Sequence, residues 1–286
     1  MQVIHTCREM SEFSTKARKA GQTIGFVPTM GALHEGHYSL MRRARAENDA
    51  VVASIFVNPT QFGPNEDLAK YPRTFDQDLA GCEKAGVSVV FAPTPAEMYP
   101  AGFDTYVTQD RLTGVMCGAS RPGHFRGVLT VCCKLFNVVS PDVAYFGQKD
   151  YQQCQVIKRM AADLCMALRI EVCPTVREPD GLAMGSRNRY LSYAERFDAV
   201  CLYRALKLAE QLAADGETAV HAIIDAMEGV IREVPSATVD YITIADAESL
   251  QPLETLQGSA VAALAVKIGA TRLIDNVLIG PPAIRR

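Results

Sequence analysis

Residues 23–49 read TIGFVPTMGALHEGHYSLMRRARAEND. A short apolar run ends at Pro28, and SLMRRARAEN, from Ser39, has a helical pattern. Between them Gly31 permits a tight turn, and Gly36 lets backbone approach a ligand closely. The start of the following helix carries free amide groups and the positive end of the dipole, which suits a phosphate. His34 and His37 frame Glu35 and Gly36 in an H-x-G-H arrangement, so both imidazoles lie near the first helical turn and both can donate to a polyphosphate. The spacing is not that of a zinc-protease helix, a Walker A loop or a G-x-G-x-x-G turn. Taken alone, the stretch fits an anion site at a strand-to-helix seam, with one histidine capping the helix and the other in solvent as the alternative.

Working outward, TIGFVPT, AVVASIFVN, VSVVFAP, DVAYFG and LRIEVCPT read as strands. They are short and rich in Val, Ile and Phe, and some are almost continuously apolar, as parallel strands covered on both faces are. Helical patterns alternate with them: FDQDLAGCEKAG, GVLTVCCKLFNVV and YQQCQVIKRMAADL. The alternation predicts a Rossmann-like, doubly wound α/β domain over residues 1–175, with ligands bound beyond the carboxyl ends of its strands. After Ser192 the pattern changes. One helix over SYAERFDAVCLYRALKLAEQLAADG, another over ETAVHAIIDAMEGVIREV, and strands at TVDYITIAD, AVAALAVKIG and TRLIDNVLIG predict a smaller α+β domain over 176–286, ending in an antiparallel hairpin.

The 286 residues are 48% hydrophobic and 21% charged with a formal net charge of -3, which gives no basic field for nucleic acid. The chain has no run of about 20 apolar residues that would span a membrane. No secretory signal is visible, so a cytoplasmic location is expected. Nine cysteines, an odd number with no C-x-x-C pair, read as reduced and mostly buried small hydrophobes.

Four further segments carry candidate chemistry. In SIFVNPTQFGPNEDLAKYPRT, Asn58 and Gln61 sit where a sheet presents ligand contacts, followed by the loop polars Asn65, Glu66 and Asp67. Asp76 and Asp78 read as a charged helix start, with a water-mediated metal contact as the alternative. SRPGHFRGVLTV places Arg121, His124 and Arg126 at a helix start, which is unfavourable unless an anion joins them. In VAYFGQKDYQQCQVI, Lys149 lies at a helix start, Asp150 reads as an N-cap or Mg²⁺ contact, and Gln153 follows one turn later. REPDGLAMGSRNRYLS adds Ser186 and Arg187 in a glycine-containing loop able to close over phosphates.

Taken together, PTMGALHEGH, VNPTQF, YPRT, GHFRGV, FGQKDYQQ and DGLAMGSRNRYLS resemble the pantothenate synthetases (pantoate–β-alanine ligases) of the HIGH-motif nucleotidyl transferase superfamily. The resemblance implies ATP-dependent condensation of (R)-pantoate with β-alanine through a pantoyl adenylate, giving pantothenate, AMP and pyrophosphate, with Mg²⁺ as cofactor and a homodimer as the assembly. It implies an ATP site lined by Met30, Gly31, Ala32, Leu33, His34, Glu35, Gly36 and His37, with His37 the usual proton donor. Gly147, Gln148, Lys149 and Asp150 would also contact ATP, with Lys149 on its phosphates. Val176 would lie by the adenine, and Met184, Gly185, Ser186 and Arg187 would form the phosphate-binding loop. Gln61 and Gln153 would hold pantoate, with Asn58, Arg121 and His124 nearby; the Mg²⁺ ligands are not assigned. Two departures stand out: Gly185 where the family usually has a serine, and Gln148 where it usually has a glutamate. An adenylyl transferase that stops at nucleotide transfer, and a non-catalytic nucleotide binder, are the competing readings.

Overall fold

The computed structural model describes residues 1–64 and 66–280, so Asn65 lies outside the described residues. In chain order the elements are β1 (Gln2–Ile4), α1 (Cys7–Lys19), β2 (Ile24–Thr29), α2 (Glu35–Glu47), β3 (Ala50–Ile55), α3 (Phe75–Lys84), β4 (Val89–Phe91), α4 (Pro95–Met98), α5 (Met116–Ser120), α6 (His124–Val139), β5 (Val143–Gly147), α7 (Tyr151–Asp163) and β6 (Arg169–Cys173). They continue with α8 (Tyr193–Asp198), α9 (Cys201–Ala214), α10 (Val220–Arg232), β7 (Ala237–Asp246), β8 (Ala260–Ile268) and β9 (Thr271–Ile279). Short 3₁₀ turns lie at Pro59–Gln61, Gln148–Asp150 and Ser186–Tyr190. No described helix is long and apolar enough to cross a membrane.

The chain divides into two compact units. The first is Met1–Thr113, Arg121–Gln148 and Gln153–Pro174; the second is Gly114–Ser120, Lys149–Gln152 and everything from Thr175. A split at 175/176 is linear, whereas this division carries two excursions, one of which holds Lys149.

The first unit is a six-stranded parallel sheet in the order β1-β4-β3-β2-β5-β6. Alternation along the strands sends side chains to opposite faces, and both faces are covered. Val27 and Tyr145 point into the cluster made with Leu40, Met41 and Ala44 of α2 and Cys82 of α3. Phe26 and Phe146 point the other way, where both rings meet Phe136 of α6 edge-on at 6.3 and 6.4 Å between centroids. The winding runs from β2 through β3 to β4, then returns to place β5 on the other side of β2. Ligands bind beyond the carboxyl ends of strands at such a reversal, which here falls between Thr29 and Gly147.

The second unit is a three-stranded antiparallel sheet, β7-β8-β9, packed against α9 and α10. Leu202 and Leu206 of α9, Ile223, Met227 and Ile231 of α10, and Leu264 and Val266 of β8 form its core. The single helix expected from residue 192 is two. A capping box between Ser192 and Glu195 starts α8, and the Val200 amide then bonds the Phe197 carbonyl, a tighter i→i−3 step that ends the first segment. The N-terminal β1 and α1 were not expected either. Three strand residues are too few for a period, and α1 carries Glu9, Glu12, Lys16, Arg18 and Lys19 among its apolar positions.

Candidate active site

The two histidines sit at the carboxyl end of β2, and each fastens the helix start. His34 is the N-cap of α2 and its Nδ1 accepts the Gly36 amide at 3.2 Å. His37 occupies the third helical position and its Nδ1 accepts the His34 amide at 3.4 Å. This is a capping box built from imidazoles. The rings lie 4.1 Å apart between centroids. A backbone amide only donates, so both Nδ1 atoms are acceptors and the neutral rings carry their protons on Nε2. Gly36 has a use the sequence did not disclose. A Cβ on residue 36 would stand 2.9 Å from Nδ1 and Cε1 of His34, closer than real carbon contacts. Gly36→Ala is therefore expected to turn the His34 ring out of its cap and lower pyrophosphate release about tenfold or more, as misplacement of catalytic groups does; unchanged kinetics in the folded variant would remove this role.

The turn before the histidines is held by a carboxylate. Asp78 of α3 is 2% exposed. Its Oδ2 accepts the Ala32 amide at 2.9 Å, and its Oδ1 accepts the Leu33 amide at 2.8 Å and the Thr74 hydroxyl at 3.0 Å. Gly31 and Ala32 both take positive φ, +79° and +51°, so an alanine is kept in the left-handed region. Asp78 thus differs from a solvated helix start: it is buried and committed to the backbone that presents His34.

Asn58 and Gln61 lie after β3, around the 3₁₀ turn. Asn58 is 1% exposed and its amide is engaged on every side. Its Oδ1 accepts from Tyr99 Oη at 2.8 Å and Thr60 Oγ1 at 2.9 Å, and its Nδ2 donates to Gln61 Oε1 at 3.0 Å and to the Gly127 carbonyl at 3.2 Å. Asn58 shapes the turn and aims Gln61. The remaining Gln61 donor rests on Met30 Sδ at 3.0 Å, a weak acceptor. The turn can approach α6 only because residue 127 has no side chain, since a Cβ there would lie 2.6 Å from Gln61 Cα.

The basic side chains at the start of α6 find their partners within the chain. Arg121 makes a bidentate pair with Glu66 at 2.6 and 2.7 Å. Its Nη1 donates to His124 Nε2 at 3.1 Å, and His124 Nδ1 donates to the Gln61 carbonyl at 2.9 Å, which fixes a neutral ring with its proton on Nδ1. Arg126 stacks on Tyr106, 3.7 Å from the ring centroid. The anion that the sequence called for beside Arg121 is thus Glu66. Burial pushes the Glu66 carboxyl up, but the hydrogen bonds and charge of Arg121 outweigh it, and the net direction is down from 4.5. A depressed carboxyl adds stability that is complete above its unfolded value and is lost as pH falls through the folded one. Glu66→Gln should therefore lower Tm near neutrality and converge with the parent below pH 4.5; a constant offset across that range would sink this account.

The remaining candidates in the first unit are Gly147, half-buried at the end of β5, with Gln148 after it, and Gln153, half-buried on α7. The others lie in the second unit. The Lys149 carbonyl accepts from Asn276 Nδ2 at 2.9 Å, and Asp150 is exposed. Val176 and Met184 face each other across a small hairpin, with the Met184 amide bonded to the Val176 carbonyl at 3.0 Å and Arg177 bridged to Ala183. The next segment closes on itself through Asn188, whose Nδ2 reaches the Ala183 carbonyl at 3.0 Å. A Cβ on residue 185 would stand 3.3 Å from Lys149 Cε, so Gly185 gives the lysine stem room. Ser186 and Arg187 are half-buried in the 3₁₀ turn that follows.

Sequence reasoning passed over Asp275 and Asn276 of β9. Both are 3% exposed, and Asp275 forms a bidentate pair with Arg177 at 2.6 and 3.0 Å. An Asp-Asn pair interrupting an apolar strand was the available signal. Among the described residues no two cysteines form a disulfide, and burial pushes the Cys82 and Cys132 thiols up to about 12, so neither is a thiolate at neutral pH.

The sequence model of the family described as pantoate-beta-alanine ligase matches residues 2–278. Pantothenate synthetase of Geobacter sulfurreducens is 54% identical over 280 residues, covering 98% of this chain and 99% of that protein. The Thermotoga neapolitana pantothenate synthetase is 53% identical, covering 98% and 100%. Among solved structures, pantothenate synthetase of Thermus thermophilus superposes with a TM-score of 0.93 at 45% identity, covering 98% of this chain and 100% of the other. Pantoate-beta-alanine ligase of Francisella tularensis, complexed with beta-gamma ATP and beta-alanine, superposes with a TM-score of 0.80 at 36% identity, covering 97% of each. A match of this extent, on a sheet whose winding reverses beside the paired imidazoles, makes the chain a member of the pantoate–β-alanine ligase family.

Proposed function

We infer that the chain condenses pantoate with β-alanine, driven by ATP. The pantoate carboxylate oxygen attacks the α-phosphorus, the bond to the β-phosphate breaks and pyrophosphate leaves. The β-alanine nitrogen then attacks the acyl carbon of the pantoyl adenylate, AMP leaves, and the nitrogen gives up a proton. The carrying observation is the capped histidine pair: with both Nδ1 atoms committed to backbone, each ring carries Nε2–H as its donor, at the carboxyl end of the strand where the winding reverses. The Francisella relative, complexed with beta-gamma ATP and beta-alanine, supports the substrate classes.

Within this reading, His34 and His37 donate Nε2–H hydrogen bonds to the ATP phosphates, His37 to the leaving pyrophosphate. Residues 30–33 and 35–36 line the nucleotide, as do Gly147, Gln148 and Asp150. Lys149, Ser186 and Arg187 stabilise charge on the phosphates, while Val176, Met184 and Gly185 contact the nucleotide. This is positioning and electrostatics, which is most of what phosphoryl transfer asks of a protein. Gln61 suits pantoate because its NH₂ group rests on a thioether, and a hydroxyl or carboxylate is a better acceptor that takes that donor over at small cost. Gln153 completes the pantoate site. Arg121 and His124 support it through the Gln61 backbone.

Among the described residues, no three His, Cys, Asp or Glu side chains converge as a metal cage. That donor set fits Mg²⁺ held chiefly by ATP phosphates with at most one or two carboxylates, such as the exposed Asp150. Bound there, the ion would neutralise charge on the leaving pyrophosphate. The active species is proposed to be a homodimer, as the family resemblance implies, working in the cytoplasm; sedimentation as a monomer at assay concentrations would remove the homodimer.

The test is product accounting. Pyrophosphate release should require pantoate, and free AMP should form only when β-alanine is added; pyrophosphate release without pantoate would favour an adenylyl transferase instead. Gln153→Ala should raise the KM for pantoate at least tenfold with little change for ATP, and the opposite split would refute its placement.

A further inference from the structure

Strand β9 carries two consecutive buried polar residues, and each grips a different piece of the segments that the proposed function puts on the phosphates. Asn276 donates from Nδ2 to the Lys149 carbonyl at 2.9 Å. Asp275 takes both ends of the Arg177 guanidinium, at 2.6 and 3.0 Å, and its Oδ1 also accepts the Asn276 amide at 2.8 Å. Arg177 in turn donates to the Gly181 carbonyl at 3.0 Å and lies 4.9 Å from the centroid of the Tyr203 ring. It therefore anchors the base of the 176–184 hairpin, whose strand leads directly into Gly185, Ser186 and Arg187. Where the two segments come together, the Lys149 stem lies against Gly185, with Nζ 3.6 Å from where a Cβ on residue 185 would stand.

Two neighbouring residues on a hydrogen-bonded strand keep a fixed spacing. One holds the backbone of Lys149, and the other holds the hairpin that delivers Arg187. A backbone carbonyl held by a buried amide, and a guanidinium held by a buried bidentate carboxylate, each have one favourable geometry. We propose that Asp275 and Asn276 are positioning residues for adenylate formation: through Lys149 and Arg177 they set the distance between the lysine and the phosphate-binding loop. The proposal rests on the reading that Lys149 and Arg187 act on the ATP phosphates. Neither β9 residue is itself placed on substrate.

A double-mutant cycle tests this, read in single-turnover adenylate formation with saturating ATP and pantoate, with thermal melting to confirm folding. Asn276→Ala should slow adenylate formation about tenfold, in line with the steep cost of small displacements of catalytic groups. If Asn276 acts through Lys149, adding Asn276→Ala to Lys149→Ala should change the rate by less than about twofold. Multiplication of the two single losses, or a full wild-type rate for Asn276→Ala alone, overturns the proposal. A wild-type rate for Lys149→Ala overturns the phosphate reading instead, so the two failures are distinct. Should Asn276→Ala not fold, Arg177→Lys carries the test, since it keeps the cation opposite Asp275 and loses the fork. It should slow adenylate formation about tenfold and lose that effect in an Arg187→Ala background; independence from Arg187 would overturn the proposal.

Discussion

Lys149→Ala should slow adenylate formation by about 10²-fold or more, a loss of roughly 2.7 kcal/mol of transition-state stabilisation. Adenylation gathers negative charge on the α-phosphorus oxygens and the departing pyrophosphate, and a fixed ammonium is worth most where that charge develops. The lysine is held for this use. Its backbone is tied to Asn276 and its stem lies against a residue with no side chain, so little ordering remains to be done when ATP arrives. Because the lost contact is stronger in the transition state than in the ground state, kcat should fall more than the KM for ATP rises. Burst measurement of pyrophosphate in one turnover reads it directly. A variant that folds and keeps more than a third of the parental rate would show that Lys149 does not serve the phosphates.

Asp78→Ala should be nearly as damaging, by another route. The substitution removes the carboxylate that accepts the Ala32 and Leu33 amides in a buried turn, and each hydrogen bond to a charged group is worth about 1.5–3 kcal/mol. It also releases Ala32 from a left-handed conformation that an alanine holds only under constraint. The turn then relaxes, and the N-cap His34 moves with it. Thermal melting should show a fall of several degrees. Pyrophosphate release at saturating substrates should drop about 10²-fold, because the histidine pair loses its placement. Asp78→Asn, which keeps the shape and one acceptor, should fall between parent and alanine variant. Normal turnover by a folded Asp78→Ala protein would disconnect the carboxylate from the histidines.

Much of the first unit was legible because its signals are local. β2, β3 and β5 are short apolar runs, the helices after them repeat at 3.6 residues, and the glycine and histidine turns mark the carboxyl ends. What escaped reading is what distant segments do for one another. Asp78 looked like an acidic residue in a helix's first turn, and only the fold brings it beneath a turn 45 residues earlier. Glu66 looked like loop polarity, and its partner Arg121 lies 55 residues away. Asn58 was read as a ligand contact because an amide at a strand end can face either way; inside the protein both its oxygen and its nitrogen are taken. Asp275 and Asn276 stand out as polar residues in an apolar strand, but no spacing rule links residue 276 to residue 149.

The capping pair also separates two duties that most catalytic residues merge. In each imidazole one nitrogen is a fastener and the other carries the proton, so the ring is a rigid strut between the chain's own backbone and whatever arrives opposite it. Asparagine caps helices well but has nothing to extend beyond the cap. His34→Asn would therefore keep the start of α2 while withdrawing the far nitrogen. The difference between that variant and His34→Ala, in melting temperature on one axis and turnover on the other, divides the worth of His34 into scaffold and reagent.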